Sequence, residues 1–227
     1  MEILCSKNIP KNVDCFVYIF CNKYKDEIYN IERHLNLKFP KKLFENFNGR
    51  VEEIKTVYFD NYSIILAGVG DGKECKIKNI NKTLSILGKE LVEREHKNIV
   101  LSLFSSHNSE IIMNQIENLI IGSHKFDKYL SDTDKTNKAR KVYIYDCSHK
   151  IGKVISKAKN NGNIVNFVRD LVNEPPNKIN SISLEEIIKK TFSKSNIKID
   201  ILNENELKKR GLNLILAVNS GSKYLAK

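Results

Sequence analysis

The chain has 227 residues, 41% of them hydrophobic and 29% charged, with 10 Gly and 4 Pro, a balance that excludes wholesale disorder and Pro/Gly low-complexity material. The mean hydropathy is −0.37 and no long apolar stretch occurs, so no membrane-spanning helix is expected, and Met1–Pro10 lacks the pattern of a secretion signal. With 38 Lys and Arg against 27 Asp and Glu the net charge is +11; such an excess attracts anionic surfaces, although Lys, Asn and Ile are abundant together and Lys then simply coats the surface.

Val13–Phe20 (VDCFVYIF) is β-branched and aromatic between polar flanks and predicts a buried strand. Ile28–Leu37 has weak helical spacing, broken by Phe39-Pro40. Val51–Phe59 and Tyr62–Val69 predict a hairpin turned at Asp60-Asn61. The hairpin ends in the loop Gly68-Val69-Gly70-Asp71-Gly72. Ile80, Leu84, Leu87 and Leu91 form one apolar stripe and predict a helix to about Glu95. Asn98–Phe104 predicts a strand, Ile111–Leu130 a helix, Ser131–Arg140 a polar loop and Lys141–Cys147 a strand. In that last strand Val142 and Ile144 share one face, and Tyr143 and Tyr145 the other. His149–Val172 is a long amphipathic helix that Asn161-Gly162-Asn163 weakens in the middle. Asn173–Asn177 (NEPPN) cannot continue it.

Ser183–Glu186 reads as a capping box opening a further helix, to about Ser193. Ile197–Leu202 alternates as a strand. Asn203–Glu206 is a second capping pattern, with Gly211 suited to end its short helix. Leu212–Val218 reads as a last strand. Strands and helices alternate, which predicts an α/β architecture: a mixed sheet flanked by helices, followed by an incomplete second α/β unit. The expected organisation is an N-terminal α/β domain over 1–148, a connecting helix over 149–172, and a second unit over 173–227, too small to bury both faces of a parallel sheet.

The Cys are Cys5, Cys15, Cys21, Cys75 and Cys147. Their number is odd and no pair has C-x-x-C spacing, so they read as reduced thiols. His34, His96, His107, His124 and His149 are scattered and match no zinc spacing. The loop at Gly68–Lys73 invites a phosphate reading, but a dinucleotide fingerprint needs Gly where Lys73 stands. A P-loop needs Gly where Ala67 stands and Ser or Thr where Glu74 stands. Asp127, Asp132 and Asp134 have no partner ligands at a recognised spacing and read as a solvated loop. Ser102, Ser105, Ser106 and His107 lack a nucleophile elbow. Lys150, Lys153 and Lys157 share one helical face and are the best candidates for a nucleic-acid contact, without interleaved aromatics.

Longer motifs go further than composition. Val168–Asn177 (VRDLVNEPPN) resembles the (A/V)RDLVN-x-PPN segment near the start of the catalytic domain of the leucyl aminopeptidase (cytosol aminopeptidase) family. Tyr62–Gly72 resembles that family's (I/V)LVGLG strand and turn, and Gly122–Tyr129 its G-x-Y-x-F-D-x-Y-K segment. Gly211–Ser222 resembles G-M-G-A-L-L-A-V-G-x-G-S, departing at Asn213 and Asn219, where the family has Gly.

The resemblance implies a macro-like N-terminal domain, a cytoplasmic protein and a hexamer-forming family, so a homo-oligomer or a full-length relative is the expected partner. It also implies a two-metal exopeptidase chemistry, with zinc or manganese activating a bridging water. The family segments that carry that chemistry, G-K-G-x-x-F-D-(S/T)-G-G and N-T-D-A-E-G-R, do not occur in these residues. The expectation is a truncated family member with no catalytic or metal-ligating residue and no metal bound by this chain. Peptides would be handled only if the catalytic half were supplied; the alternative is a module derived from the N-terminal domain that binds nucleic acid, DNA included, through Lys150, Lys153 and Lys157, or that modulates an oligomer.

Overall fold

The computed structural model describes residues 1–6, 8–20, 32, 46–70, 76–94, 96–103, 108–131, 140–145 and 149–227. The helix expected over 28–37 lies, except for residue 32, outside these residues, as does most of the polar loop at 131–140. The chain divides into two compact units, Met1–Phe167 and Val168–Lys227.

In the first unit the described order is β1 (Glu2–Ser6), β2 (Cys15–Phe20), β3 (Ile54–Tyr58), β4 (Ser63–Gly68), α1 (Ile77–Glu93), β5 (Asn98–Ser102), α2 (Ser109–Gly122), β6 (Lys141–Tyr145) and α3 (His149–Asn173), the division falling inside α3. The strands form a six-stranded sheet of order β1-β6-β5-β2-β4-β3. β3 runs antiparallel to β4, with Thr56 opposite Ile65, and every other pairing is parallel. This is the mixed, helix-flanked sheet that the sequence predicts. β2 and β4 are buried at every position, which explains their unbroken apolar runs: an inner strand of a parallel sheet has no solvent face.

The pleat sorts side chains into two cores. Cys15, Val17, Ile65, Ile99, Leu101, Val142 and Ile144 face one side and pack with Leu84 and Leu87 of α1, Ile116 and Leu119 of α2, and Ile155 and Ala158 of α3. Phe16, Tyr18, Phe20, Ile64, Leu66 and Val100 face the other, where Phe47, Tyr62, Tyr143 and Tyr145 join them. One face is therefore aliphatic and helix-covered, and the other aromatic. Phe59 stacks on Tyr62 at 4.8 Å between ring centroids, and Phe20 meets Phe47 edge-on at 5.8 Å.

Several expectations change. β1 is a strand that sequence reading misses, because only Ile3 of its five residues reaches the core; its place is set by the pairing with β6. α2 ends at Gly122 rather than near Leu130. α3 is unbroken through Asn161-Gly162-Asn163. A Cβ at Gly162 would lie 2.9 Å from Ile120 Cγ2, so this glycine lets α3 approach α2 instead of breaking the helix. Cys5 is disulfide-bonded, which corrects the all-thiol reading for that residue, while Cys15 is a free, buried thiol.

The second unit is helical wherever an element forms: the end of α3, then α4 (Ser181–Phe192), α5 (Glu204–Lys209) and α6 (Asn213–Asn219). Both strands expected here are absent. Residues 197–202 pair with no strand, and 213–219 is α6. A short apolar run does not distinguish strand from helix by itself, and a strand needs a neighbour to satisfy its backbone. The cap of α4 also moves. Asn180 accepts from Ile182 N and Ser183 N at 3.1 Å each, and Ser183 Oγ accepts from Asn180 N at 2.9 Å. Ser183 is thus the third residue of the capping box rather than its first. The box at Asn203 and Glu206 forms as predicted. Gly211 closes α5 at φ +68°, with Leu212 N donating to Leu207 O at 3.0 Å and Gly211 N to Lys208 O at 3.1 Å, a Schellman ending that requires the left-handed residue.

Candidate functional site

The C-terminal ends of parallel strands are where an α/β sheet offers backbone amides to a ligand, and Gly68–Gly70 occupies such an end. Its amides are already used. Gly68 N donates to Glu53 O at 2.8 Å, Val69 N to Phe20 O at 2.8 Å and Gly70 N to Gly49 O at 2.9 Å. The partner loop is itself closed: Glu53 accepts from Asn48 N at 3.0 Å and Arg50 N at 2.9 Å. Glu52 sits at φ +67° and donates its N–H to Thr83 Oγ1, which donates to Gly68 O at 2.7 Å. Gly68 is a packing glycine, since a Cβ there would lie 2.3 Å from Arg50 O. The described part of this loop therefore presents no amide to a phosphate. Gly72, Lys73 and Glu74 lie outside the described residues.

Lys150, Lys153 and Lys157 are exposed along α3. Ile155 and Ala158, on the opposite side, are buried. Lys159 is drawn off the stripe: its Nζ donates to Ile3 O at 3.1 Å. The stripe is the solvated side of an amphipathic helix. Asp132, Asp134, Ser105, Ser106 and His107 lie outside the described residues. Asp127 closes a turn, its carbonyl accepting from Leu130 N at 3.0 Å. Among the described residues no group of three or more His, Cys, Asp or Glu could hold a metal ion.

One polar cluster has no sequence signal, because its members are far apart in the chain. Ser63 Oγ lies 3.2 Å from His96 Nε2 at the N-terminal edge of the sheet, next to the Cys15 thiol. Desolvation lowers the His96 pKa, with Arg94 and Arg140 adding to the effect and Asp14 opposing it. Burial pushes the Cys15 thiol up to about 12, which keeps it protonated and unreactive. The Asp14 carboxylate accepts from Lys97 N at 2.8 Å and Asn98 N at 3.1 Å. Asp14 thus ties strand ends together, and Ser63, His96 and Asp14 are no catalytic relay.

The RDLVNEPPN stretch is a helix end and a rigid turn. Glu174 N donates to Asp170 O at 3.1 Å, and Pro175 O accepts from Lys178 N at 2.8 Å and Ile179 N at 3.0 Å. The turn delivers the chain to the Asn180 cap. Beyond it, Ser181 Oγ donates to Leu225 O at 2.6 Å, and Glu185 pairs with Lys189 and Lys227. Of the large apolar residues in this unit, only Leu207 is buried, with Ala226 beside it in that class. Leu214, Ile215, Val218 and Ala226 line an open groove of about 400 Å³.

Comparison with known proteins gives this arrangement a context. The family model described as "Cytosol aminopeptidase family, catalytic domain" matches residues 166–227. A probable cytosol aminopeptidase of Sulfurihydrogenibium sp. (strain YO3AOP1) is 32% identical over 173 residues, covering 69% of this chain and 33% of that protein. The chain thus spans about a third of the length of that curated relative. A tomato leucine aminopeptidase mutant superposes with a TM-score of 0.80 at 18% identity, covering 100% of this chain and 49% of the tomato chain. The bottromycin maturation enzyme BotP, solved in complex with Mn, has a TM-score of 0.70 at 13% identity, covering 94% of this chain and 43% of its own. At these identities the two structures establish the fold. No helix among the described residues is long and apolar enough to cross a membrane.

Proposed function

The chain belongs to the cytosol aminopeptidase family, and on that premise we propose that residues 1–148 are its N-terminal α/β domain, 149–172 a connecting helix and 173–227 the opening segment of its catalytic domain. The whole protein's activity is then the metal-dependent release of N-terminal amino acids from peptides, with zinc or manganese as the metal, in the cytoplasm. The observation that carries this reading is the VRDLVNEPPN turn lying inside the region that the family's catalytic-domain model matches.

These 227 residues do not perform that hydrolysis by themselves. What supports this is that the segments G-K-G-x-x-F-D-(S/T)-G-G and N-T-D-A-E-G-R do not occur among them. Two-metal hydrolysis needs ligands that fix both ions and orient the water. The pure 227-residue chain, incubated with leucine p-nitroanilide and Zn²⁺ or Mn²⁺, is expected to release no p-nitroaniline above a metal-only blank. Turnover that follows the protein through purification and stops with a chelator would overturn the reading. Self-association, or co-assembly with a full-length relative, is the partner chemistry this family membership supports, and light scattering at several concentrations tests the first.

A further inference from the structure

Asn precedes Gly twice in this chain, at Asn48-Gly49 and Asn161-Gly162, and precedes Ser at Asn108, Asn180 and Asn219. An Asn with so small a successor can lose its side-chain amide without an enzyme. The following backbone nitrogen attacks Cγ, and no Cβ shields that nitrogen when the successor is Gly. Four of these five sites are held. Asn108 and Asn180 are helix caps whose Oδ1 atoms accept from Ile111 N at 3.2 Å and Ser183 N at 3.1 Å. Asn219 Nδ2 donates to Tyr224 O at 2.8 Å. Asn161-Gly162 lies inside α3, where the helical ladder takes up the Gly162 N–H and fixes the backbone.

Asn48 differs on every count. It is exposed, and its carboxamide makes no hydrogen bond among the described residues. Glu53 accepts from Asn48 N at 3.0 Å and from Arg50 N at 2.9 Å. The amide between them, the Gly49 N–H, donates to no described residue. The electrophile and the nucleophile of the reaction are thus adjacent and uncommitted. We propose that Asn48 is a site of spontaneous deamidation and isomerisation, and that this modification unlocks the loop closing the Gly68–Gly70 strand end.

The chemistry needs only water. Gly49 N gives up its proton to solvent base and bonds to Asn48 Cγ; the Cγ–Nδ2 bond breaks, ammonia leaves and a succinimide forms. Water then opens the ring. Attack at Cγ restores the peptide bond and leaves aspartate at position 48. Attack at the backbone carbonyl leaves isoaspartate, in which the chain runs through the former side chain and is one methylene longer. Gly49 is buried at φ +67°, and its carbonyl accepts from Gly70 N at 2.9 Å. A longer backbone at this point carries that carbonyl away from Gly70 N. Both products also add a negative charge to a loop organised around the Glu53 carboxylate.

The test ages the 227-residue chain at mildly alkaline pH, folded in buffer and unfolded in guanidinium chloride. The tryptic peptides Leu43–Arg50 and Asn160–Arg169 report the two Asn-Gly pairs by mass spectrometry, and fragment ions separate Asn46 from Asn48. Isoaspartate is counted by labelled methyl transfer with an isoaspartyl carboxyl methyltransferase. In the folded chain, position 48 is expected to convert while position 161 stays intact; in denaturant both convert. The urea midpoint of the aged chain is expected to fall by about 0.5 M, as for the loss of one hydrogen bond. Asn48→Gln, whose longer side chain cyclises far more slowly, should match the fresh chain before and after ageing. Asn48 that survives in the folded chain while converting in denaturant overturns the proposal, as does Asn161 reacting as fast as Asn48 in the fold. An aged chain that carries isoaspartate at position 48 with an unchanged midpoint refutes the unlocking.

Discussion

The Gly68→Ala substitution tests whether the strand-end loop is a structural knot or a ligand cradle. A Cβ at Gly68 would lie 2.3 Å from Arg50 O and 2.5 Å from Gly49 C. Relief of that clash requires the 48–53 loop to retreat by about 1 Å, since comfortable non-bonded contacts begin near 3.5 Å. Such a retreat lengthens the bonds Gly70 N to Gly49 O, now 2.9 Å, and Gly68 N to Glu53 O, now 2.8 Å, past useful range. Overpacking of this kind costs about 1–3 kcal/mol, and two bonds lost add about 1 kcal/mol each. The expected destabilisation is therefore about 3–5 kcal/mol. In urea, with a slope of about 2 kcal/mol per molar, the midpoint read by far-UV circular dichroism falls by about 1.5–2.5 M with the slope unchanged. A change below about 0.5 kcal/mol would refute the reasoning. It would mean that the loop does not lie against the strand end, and that the Gly68 and Gly70 amides are free to take an anion.

Three further outcomes follow from the same geometry. His96 has a pKa lowered chiefly by burial, so the unfolded chain binds the proton more tightly than the folded one; stability is full above about pH 6.5 and falls as pH drops from there toward the lowered folded value. His96→Gln should flatten that part of the pH profile in urea titrations between pH 7 and 5, and an unchanged profile would contradict it. Leu84 is 0% exposed in the aliphatic core, and Leu84→Ala should cost about 2–5 kcal/mol in the same assay. Asn203→Ala removes the acceptor for Asn205 N and Glu206 N, both at 3.1 Å, and should cost about 1 kcal/mol, read as faster amide exchange confined to α5.

Most of the first unit was legible because its side-chain pattern records burial by the unit itself. The alternation in Lys141–Tyr145 assigns Val142 and Ile144 to the core shared with the helices, and Tyr143 and Tyr145 to the aromatic side. The stripe Ile80, Leu84, Leu87 and Leu91 is buried as read. The losses were local. β1 has too few core residues to announce itself, and its position comes from parallel pairing with a strand far along the chain. Gly162 reads as a helix breaker only until Ile120 is seen against it. The Ser63–His96 contact joins residues 33 apart, and no local spacing encodes it.

The second unit is less legible in the sequence, for a different reason. Reading an apolar run as a strand or a helix face assumes that its residues are buried by the chain being read. Ile197 is 57% exposed, Leu214 84% and Val218 89%, so their apolar character is not accounted for by contacts within 168–227. A pattern with no partner has no period to report, which is why Leu212–Val218 passed for a strand while forming α6. The motifs that survived in this unit are those whose chemistry is complete over a few residues: the Asn203–Glu206 box, the Gly211 ending and the proline turn after Asn173. Local rules held and burial rules failed in the same 60-residue stretch.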